Sequence, residues 1–151
     1  MQSANRGNSG MPTMYQAVKR TREEYRDLQV AVDPVYKINV TNRVYPKACF
    51  NKSWDYIIHS LSQSKIKLIH GTCMVLGGIP IDHGWIEIGE NIVFEGVYQR
   101  FYDKEKYYAA RGLIKHFEYS SEQVRDLSWK HKHKGPWENI RGGNCFDLFM
   151  S

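Results

Sequence analysis

The sequence lacks an apolar run long enough to cross a membrane, and its start lacks the apolar core of a secretory signal. A membrane span needs about 18 consecutive apolar residues, and no stretch of the 151 residues approaches that length. Residues 1–12 are polar and rich in Gly, Ser and Asn, which is typical of a mobile segment. We therefore expect a flexible N-terminal segment over 1–12, a single domain over 13–151, and no membrane partner.

Cysteine is scarce. The three residues are Cys49, Cys73 and Cys145, and no Cys-x-x-Cys pair occurs. An odd number argues against a disulfide framework, and the missing pair argues against a zinc ribbon. Reduced thiols in the cytoplasm explain this usage most simply, so we expect a cytoplasmic protein. We expect no cofactor and no metal. The two histidines of 130–134 (Lys-His-Lys-His-Lys) do not predict a metal site, because the flanking lysines repel a cation and no carboxylate or Cys lies beside them.

Acidic residues are outnumbered, with 16 Asp and Glu against 21 Lys and Arg and a net charge of +5. This charge permits nucleic-acid binding through a basic surface but does not establish it.

Aromatic residues are abundant, and those between 98 and 108 are so dense that we expect some of them to line a groove. The oligomeric state stays open, since the apolar end at 145–150 fits either a partner subunit or the chain's own core.

The most regular stretch, 80–96, predicts a β-hairpin. A Gly-Glu-Asn turn, whose Gly and Asn tolerate positive φ, separates two runs of alternating apolar residues. Keeping the apolar residues on one face pairs Ile86 with Phe94 and Ile88 with Ile92. The opposite face then carries a second set of side chains: His83, Trp85, Glu87, Val93 and Glu95.

The remaining sequence switches between helical and strand periodicity. Helices are predicted over 13–28, 49–62, 103–111 and 120–129, and strands over 35–40, 64–76, 97–98 and 114–119. This order predicts an α+β fold with a mostly antiparallel sheet and with helices packed on one side of it.

Three residues are suited to nucleophilic catalysis. Cys49 begins a predicted helix, where free N–H groups and the helix dipole favour a thiolate and a developing oxyanion. His83 would take the thiol proton and Glu95 would orient the imidazole, with Glu87 as the reserve. Each also fits a structural role, Cys49 as a small buried side chain and the others as strand residues.

The order of these residues resembles the papain-like fold in its transglutaminase-like branch. In that group a Cys opens a helix, a His-Ala-Trp-x-Glu strand follows, and the next strand carries an Asp. The corresponding residues are Cys49, His83, Trp85, Glu87 and Glu95, within 48–97, about a third of the chain. The Cys-Phe-Asn-Lys-Ser start of the helix is also similar to that of small uncharacterised bacterial and phage proteins. Gly84 replaces the usual Ala, and Glu95 the usual Asp or Asn.

The resemblance implies a papain-like core and acyl transfer on a peptide, amide or ester substrate, through a thioester intermediate that passes to water or to an amine. Cys49 would be the nucleophile, His83 the general acid and base, and Glu95 the orienting group. Trp85 and Glu87 would contact substrate. Asn42, upstream of the helix, is a candidate oxyanion donor whose alternative role is that of a turn residue.

Two other functions stay open. A non-catalytic binding protein on the same scaffold would recognise a nucleotide, a nucleic acid or a partner protein through Tyr98, Arg100 and the basic run 130–134. That run also reads as a solvated basic loop. A phosphoesterase centred on His70 is the third alternative, because His70-Gly71-Thr72 matches one half of a two-histidine motif.

Overall fold

The computed structural model describes residues 10–60 and 63–140. The helices are α1 (Met14–Glu24), α2 (Cys49–Ile58), α3 (Lys104–Arg111) and α4 (Ser121–His131). The strands are β1 (Ile66–Val75), β2 (Ile79–Ile88), β3 (Ile92–Glu95), β4 (Arg100–Asp103) and β5 (Ile114–Ser120). The strands form one sheet in the order β4-β3-β2-β1-β5, and every neighbouring pair is antiparallel. The predicted α+β class with an antiparallel sheet is confirmed.

The hairpin of β2 and β3 has the predicted register. Ile86 lies opposite Phe94, and Ile88 lies opposite Ile92. Gly89 begins the turn with a φ of 60°, a conformation that glycine adopts without steric cost. The pairing predicted from the alternating apolar residues is therefore correct. A shift of the register by one residue would have turned every side chain of the strand to the other face of the sheet.

Helices cover both faces of the sheet, so the expectation of helices on one side is wrong. On one face, the α2 face, the sheet packs against α2 and α4 in a buried cluster that includes Ile57, Leu68, Ile86, Phe94 and Val124. On the other, the α3 face, it packs against α1 and α3 in a cluster that includes Val18, Ile69, Trp85, Val93 and Tyr107. The central strands are consequently buried on both sides.

Side-chain caps set the starts of three helices. Thr13 caps α1 and Ser120 caps α4, each in a capping box with the Gln three residues later. Asp103 caps α3, and Gly112, with a φ of 59°, follows its last residue as the C-cap. The predicted helices at these places are confirmed, although α1 ends at Glu24 rather than at residue 28.

The predicted strand at 35–40 is wrong. Pro34–Lys37 forms a 3₁₀ turn instead, in which Pro34 occupies the first position. The Asp33 side chain accepts a hydrogen bond from the Val35 N–H at 3.0 Å, so this backbone donor is used locally and not in a ladder. The predicted helix from residue 49 ends at Ile58, and residues 61 and 62 lie outside the described residues.

The segment after the hairpin was also predicted incorrectly. Residues 97 and 98, expected to extend the strand, lie in a turn that Gln99 closes with a φ of 56°. The chain then returns as β4, which the sequence analysis missed. A strand so short carries too few residues for its alternation to stand out.

The dense aromatic segment lies mainly in the core and not in a groove. Tyr98, Phe101, Tyr102 and Tyr107 are buried, and only Tyr108 is partly exposed. Tyr102 and Tyr107 stack with ring centroids 4.3 Å apart. A sheet covered on both faces needs more large apolar side chains than a sheet covered on one, and these rings supply them.

None of the helices in the described part of the chain has the length and apolarity to span a bilayer. Over the same residues, no group of three His, Cys, Asp or Glu side chains is arranged to hold a metal ion. The predicted mobile residues 1–9 and the apolar end at 145–150 lie outside the described residues.

His70 lies on the α2 face inside an aromatic cage. Its fully buried ring packs 5.0 Å from Phe50, 5.2 Å from Tyr119 and 5.3 Å from Trp137, measured between centroids. Neither ring nitrogen has a hydrogen-bond partner among residues 10–60 and 63–140. Burial lowers the pKa of His70 to about 3, so the folded protein keeps this ring neutral. With neither a polar partner nor exposure, His70 gives the phosphoesterase alternative no support.

We expect acid to destabilise the protein through His70. Between the ordinary histidine pKa of about 6.5 and the folded value of about 3, the unfolded chain binds a proton that the folded chain does not. Stability is therefore complete above this window and falls as the pH is lowered. His70→Phe removes this proton uptake. When the pH is lowered from about 7 to about 5, the free energy of unfolding of the variant should therefore decrease by about 2 kcal/mol less than that of the parent.

Urea unfolding at the two pH values measures this difference. His116→Phe, at an exposed position of β5, is the matched control and should follow the parent. If His70→Phe and the parent lose equal stability, the buried neutral imidazole is not the cause.

Candidate active site

His83 and Glu95 form the centre of the candidate site. The His83 Nε2 lies 2.7 Å from Glu95 Oε1, and both side chains are fully buried on the α3 face. The pair comes from the two strands of the hairpin, at the positions that the predicted register brings together. The His83 Nδ1 is buried and has no hydrogen-bond partner in the described chain. The imidazole is thus oriented through one nitrogen while the other stays unpartnered.

The Glu95 carboxylate is held by more than His83. Tyr107 donates its hydroxyl to Oε1 at 2.9 Å, Arg111 Nη1 lies 3.5 Å from the same oxygen, and the Val97 N–H donates to Oε2 at 3.3 Å. Burial alone would raise the pKa of Glu95, but His83 and then Arg111 outweigh it and lower this pKa. Glu95 therefore presents a negative charge to the imidazole.

The sequence analysis missed Tyr107 and Arg111. Both are buried on α3, and Arg111 Nη1 donates to the Tyr107 hydroxyl at 2.5 Å. The guanidinium also lies 5.3 Å from the Tyr98 ring centroid and 3.7 Å, through Nη2, from Cys73 Sγ. Their spacing of four residues, which places two polar groups on one face of a helix, was the signal that could have found them.

Glu87, the reserve orienting residue, has other partners. Lys115 Nζ lies 3.0 Å and Lys104 Nζ 3.2 Å from its Oε1, and Tyr108 donates its hydroxyl to Oε2. Trp85 Nε1 donates to the same Oε2 at 3.4 Å. The carboxylate beside His83 is consequently Glu95.

The two other predicted substrate contacts differ in exposure. Trp85 is fully buried, and its ring stacks on the His83 imidazole with a centroid distance of 5.9 Å. Asn42 is exposed in the loop before α2, where its Oδ1 accepts a hydrogen bond from Arg100 Nη2 at 2.8 Å. Trp85 thus forms a wall of the site, while the oxyanion role of Asn42 stays a prediction.

Cys49 is the first residue of α2 and is fully buried. The residue before it, Ala48, is the N-cap and provides no side-chain hydrogen bond to the first turn. An uncapped helix start directs N–H groups and the positive end of the helix dipole at whatever lies in front of it. Cys49 therefore begins a helix whose first turn favours an anion.

Two glycines let this first turn lie directly on the sheet. A Cβ on Gly84 would lie 3.0 Å from the Phe50 ring, and a Cβ on Gly96 would lie 2.7 Å from Lys52 Cβ. Beyond this crossing α2 continues over the α2 face, where Ile57 is buried. At these two positions the absence of a side chain therefore lets α2 approach the hairpin closely.

The first turn of α2 lies beside one end of the hairpin. The helix starts beside Gly84 and Gly96 and continues toward Phe94, on whose ring Tyr56 stacks. Cys49 also shares a buried cluster with Val97, Tyr98 and Trp85, the ring that stacks on His83. Cys49 and Trp85 therefore belong to one buried cluster, whereas the His83 and Glu95 side chains lie on the α3 face.

No protein-family model, no curated protein and no solved structure matches the chain.

We expect Gly96→Ala to displace the first turn of α2. The added methyl would lie 2.7 Å from Lys52 Cβ and 3.2 Å from the Lys52 carbonyl carbon, and a backbone atom cannot rotate away. The free energy of unfolding should fall by about 2 kcal/mol, with faster amide exchange in α2. Gly84→Ala is the matched comparison and should cost less, because its nearest neighbour is a ring that can tilt. Equal effects of the two substitutions would contradict this helix position.

Glu95→Gln should lower the free energy of unfolding by about 3 kcal/mol, because Arg111 would stay buried without its counter-charge. Since the folded pKa of Glu95 is lowered, the stability that its charge supplies is present above the ordinary carboxyl pKa and lost as the pH falls through the folded value. Glu90→Gln, in the exposed hairpin turn, should change stability by less than about 0.5 kcal/mol. Chemical unfolding of both variants measures the difference, and a Glu95→Gln protein as stable as the parent would contradict a buried ion pair.

Proposed function

We propose that the protein is a cysteine-dependent hydrolase or acyltransferase that acts on an amide or ester bond. Cys49 is the nucleophile, His83 the general acid and base, and Glu95 the orienting carboxylate. The observation that carries the proposal is the buried His83–Glu95 pair, in which Nε2 lies 2.7 Å from the carboxylate and Nδ1 has no hydrogen-bond partner in the described chain. Trp85, which stacks on the His83 ring, shares a buried cluster with Cys49.

Each group has a defined step in this mechanism. The His83 Nδ1 accepts the proton of the Cys49 thiol, and the Glu95 carboxylate stabilises the resulting imidazolium. The thiolate attacks the carbonyl carbon, and the N–H groups of the first turn of α2 bind the oxyanion. The leaving amine or alcohol takes the proton from Nδ1, which leaves a thioester. Water or an amine then attacks the thioester while Nδ1 acts as the base, and the thiol is regenerated.

The arrangement of elements supports a papain-like core of the transglutaminase-like type. A helix that starts with Cys precedes an antiparallel sheet, and the next strands bring a His and an acid together in one hairpin. The structure departs from the pattern at Glu95, whose longer side chain reaches His83 while it also contacts Arg111.

Substrate access requires a local opening, because Cys49, His83 and Glu95 are all fully buried. Ile140, the last described residue, is buried in the same cluster as Cys49 and Tyr98. We propose that this cluster opens at the Cys49 end when substrate binds, so small acyl donors should react more readily than folded proteins.

The proposal predicts a thioester on Cys49. Incubation with p-nitrophenyl acetate should give an acetyl adduct that peptide mass spectrometry locates on Cys49 and that neutral hydroxylamine removes. Cys73→Ala is the matched control, because Cys73 is equally buried and its loss should leave the adduct unchanged. Cys49→Ala should abolish the adduct, and His83→Ala should slow its formation by at least about a hundredfold.

Acetylation at equal rates on Cys49 and Cys73 would contradict the proposal, since burial does not distinguish these two thiols. Unchanged acetylation in a folded His83→Ala protein would likewise remove His83 from the mechanism.

A further inference from the structure

An exposed tryptophan on α4 is unexplained by the proposed catalytic site. Trp129 is 78% exposed, although tryptophan is usually among the more buried residues. It lines a groove of about 490 Å³ between α4 and α2, with Trp54 on the opposite wall. The apolar side chains Val124 and Leu127 of α4 are turned inward, so they do not account for the exposed ring.

The groove is strongly basic. Lys132 Nζ lies 4.3 Å from the centroid of the Trp129 ring, and Lys134 Nζ lies 4.5 Å from that of the Trp54 ring. Lys134 is also paired with Asp55 at 3.2 Å. Arg125 and Lys132 also line this groove, and neither forms an ion pair within the described part of the chain. The surface therefore combines an exposed aromatic ring with two cations, Arg125 and Lys132, that have no ion-pair partner among the described residues.

We propose that this surface binds single-stranded nucleic acid. We call it the Trp129 surface, made of Trp54, Arg125, Trp129, Lys132 and Lys134. An unpaired base stacks on the Trp129 indole, and the backbone phosphates on either side of it contact the lysines and Arg125. Stacking platforms flanked by basic side chains are the general means of binding single strands without sequence preference.

The chemistry of the surface favours a single strand over other polyanions. A duplex offers phosphates but keeps its bases stacked on one another, so it cannot use an exposed indole. An anionic membrane would need a row of exposed apolar side chains along the helix, whereas among the apolar side chains of α4 only Trp129 is strongly exposed. The proposal uses none of Cys49, His83 and Glu95, so it stands or falls separately from the catalytic function.

Fluorescence anisotropy with labelled oligothymidylate and oligouridylate of about twelve nucleotides tests the proposal. The parent protein should bind both strands, with an affinity that falls as salt rises. Trp129→Ala should bind on the order of tenfold more weakly, and Trp129→Phe should recover most of the affinity because it restores a ring. Both variants should unfold at the parent's temperature, since the side chain is exposed.

Charge variants separate the phosphate contacts from general attraction. Lys132→Gln should reduce the slope of log affinity against log salt by about 0.7. Lys65→Gln, an exposed lysine in a different groove beside Glu87, is the matched control and should leave the slope unchanged.

Several results would overturn the proposal. The first two are the absence of binding to either oligonucleotide at low salt and equal affinities of Trp129→Ala and the parent. The other two are an equal reduction of the salt slope by Lys132→Gln and Lys65→Gln, and an affinity for duplex as high as that for the single strands. Binding to vesicles that contain phosphatidylserine without binding to the oligonucleotides would assign the surface to a membrane and would also overturn it.

Discussion

The buried carboxylate of Glu95 is the interaction on which the rest of the structure depends. It receives hydrogen bonds or ion-pair contacts from His83 on β2, from Tyr107 and Arg111 on α3, and from the backbone of Val97 in the following turn. A buried carboxylate without such partners would cost several kcal/mol. The hairpin, the turn after it and α3 therefore have to assemble around one charge, and this requirement fixes where the imidazole points.

The same network has a structural and a proposed chemical role. Arg111 neutralises Glu95 at 3.5 Å, while His83 is the closer partner at 2.7 Å. A carboxylate shared in this way holds the imidazole in one orientation and stays ionised without the help of solvent. Preorganised polar groups of this kind need no rearrangement when a charge develops on the imidazole. The full burial of the pair means that the proposed chemistry also needs an opening step.

Much of the local structure could be predicted because its signals are local. The hairpin register follows from four apolar residues and a turn, and the starts of α1, α3 and α4 follow from capping side chains. The pairing of His83 with Glu95 follows from that register, since residues on adjacent strands of one hairpin are close in sequence. The hairpin is therefore the part of the site that a sequence pattern specifies best.

The parts that could not be predicted depend on contacts between distant segments. The second layer of helices, the short strand β4 and the buried aromatic rings all follow from a sheet covered on both faces, which no single stretch of sequence reveals. In the 3₁₀ turn at Pro34–Lys37, the Val35 N–H donates a hydrogen bond to the Asp33 side chain, whereas the alternating apolar pattern had predicted a strand for this segment. The spacing of Tyr107 and Arg111 places them on one face of α3, but that this face meets Glu95 depends on how α3 packs against the sheet.

The ultraviolet absorbance of the Cys49 thiolate, followed against pH in a protein that carries Cys73→Ala and Cys145→Ala, tests the proposed Cys49–His83 pair most directly. We predict thiolate absorbance that persists at about pH 6, well below the ordinary thiol pKa of about 8.5, and that disappears at this pH in His83→Ala. A thiolate that forms only above about pH 8.5, with or without His83, would contradict it.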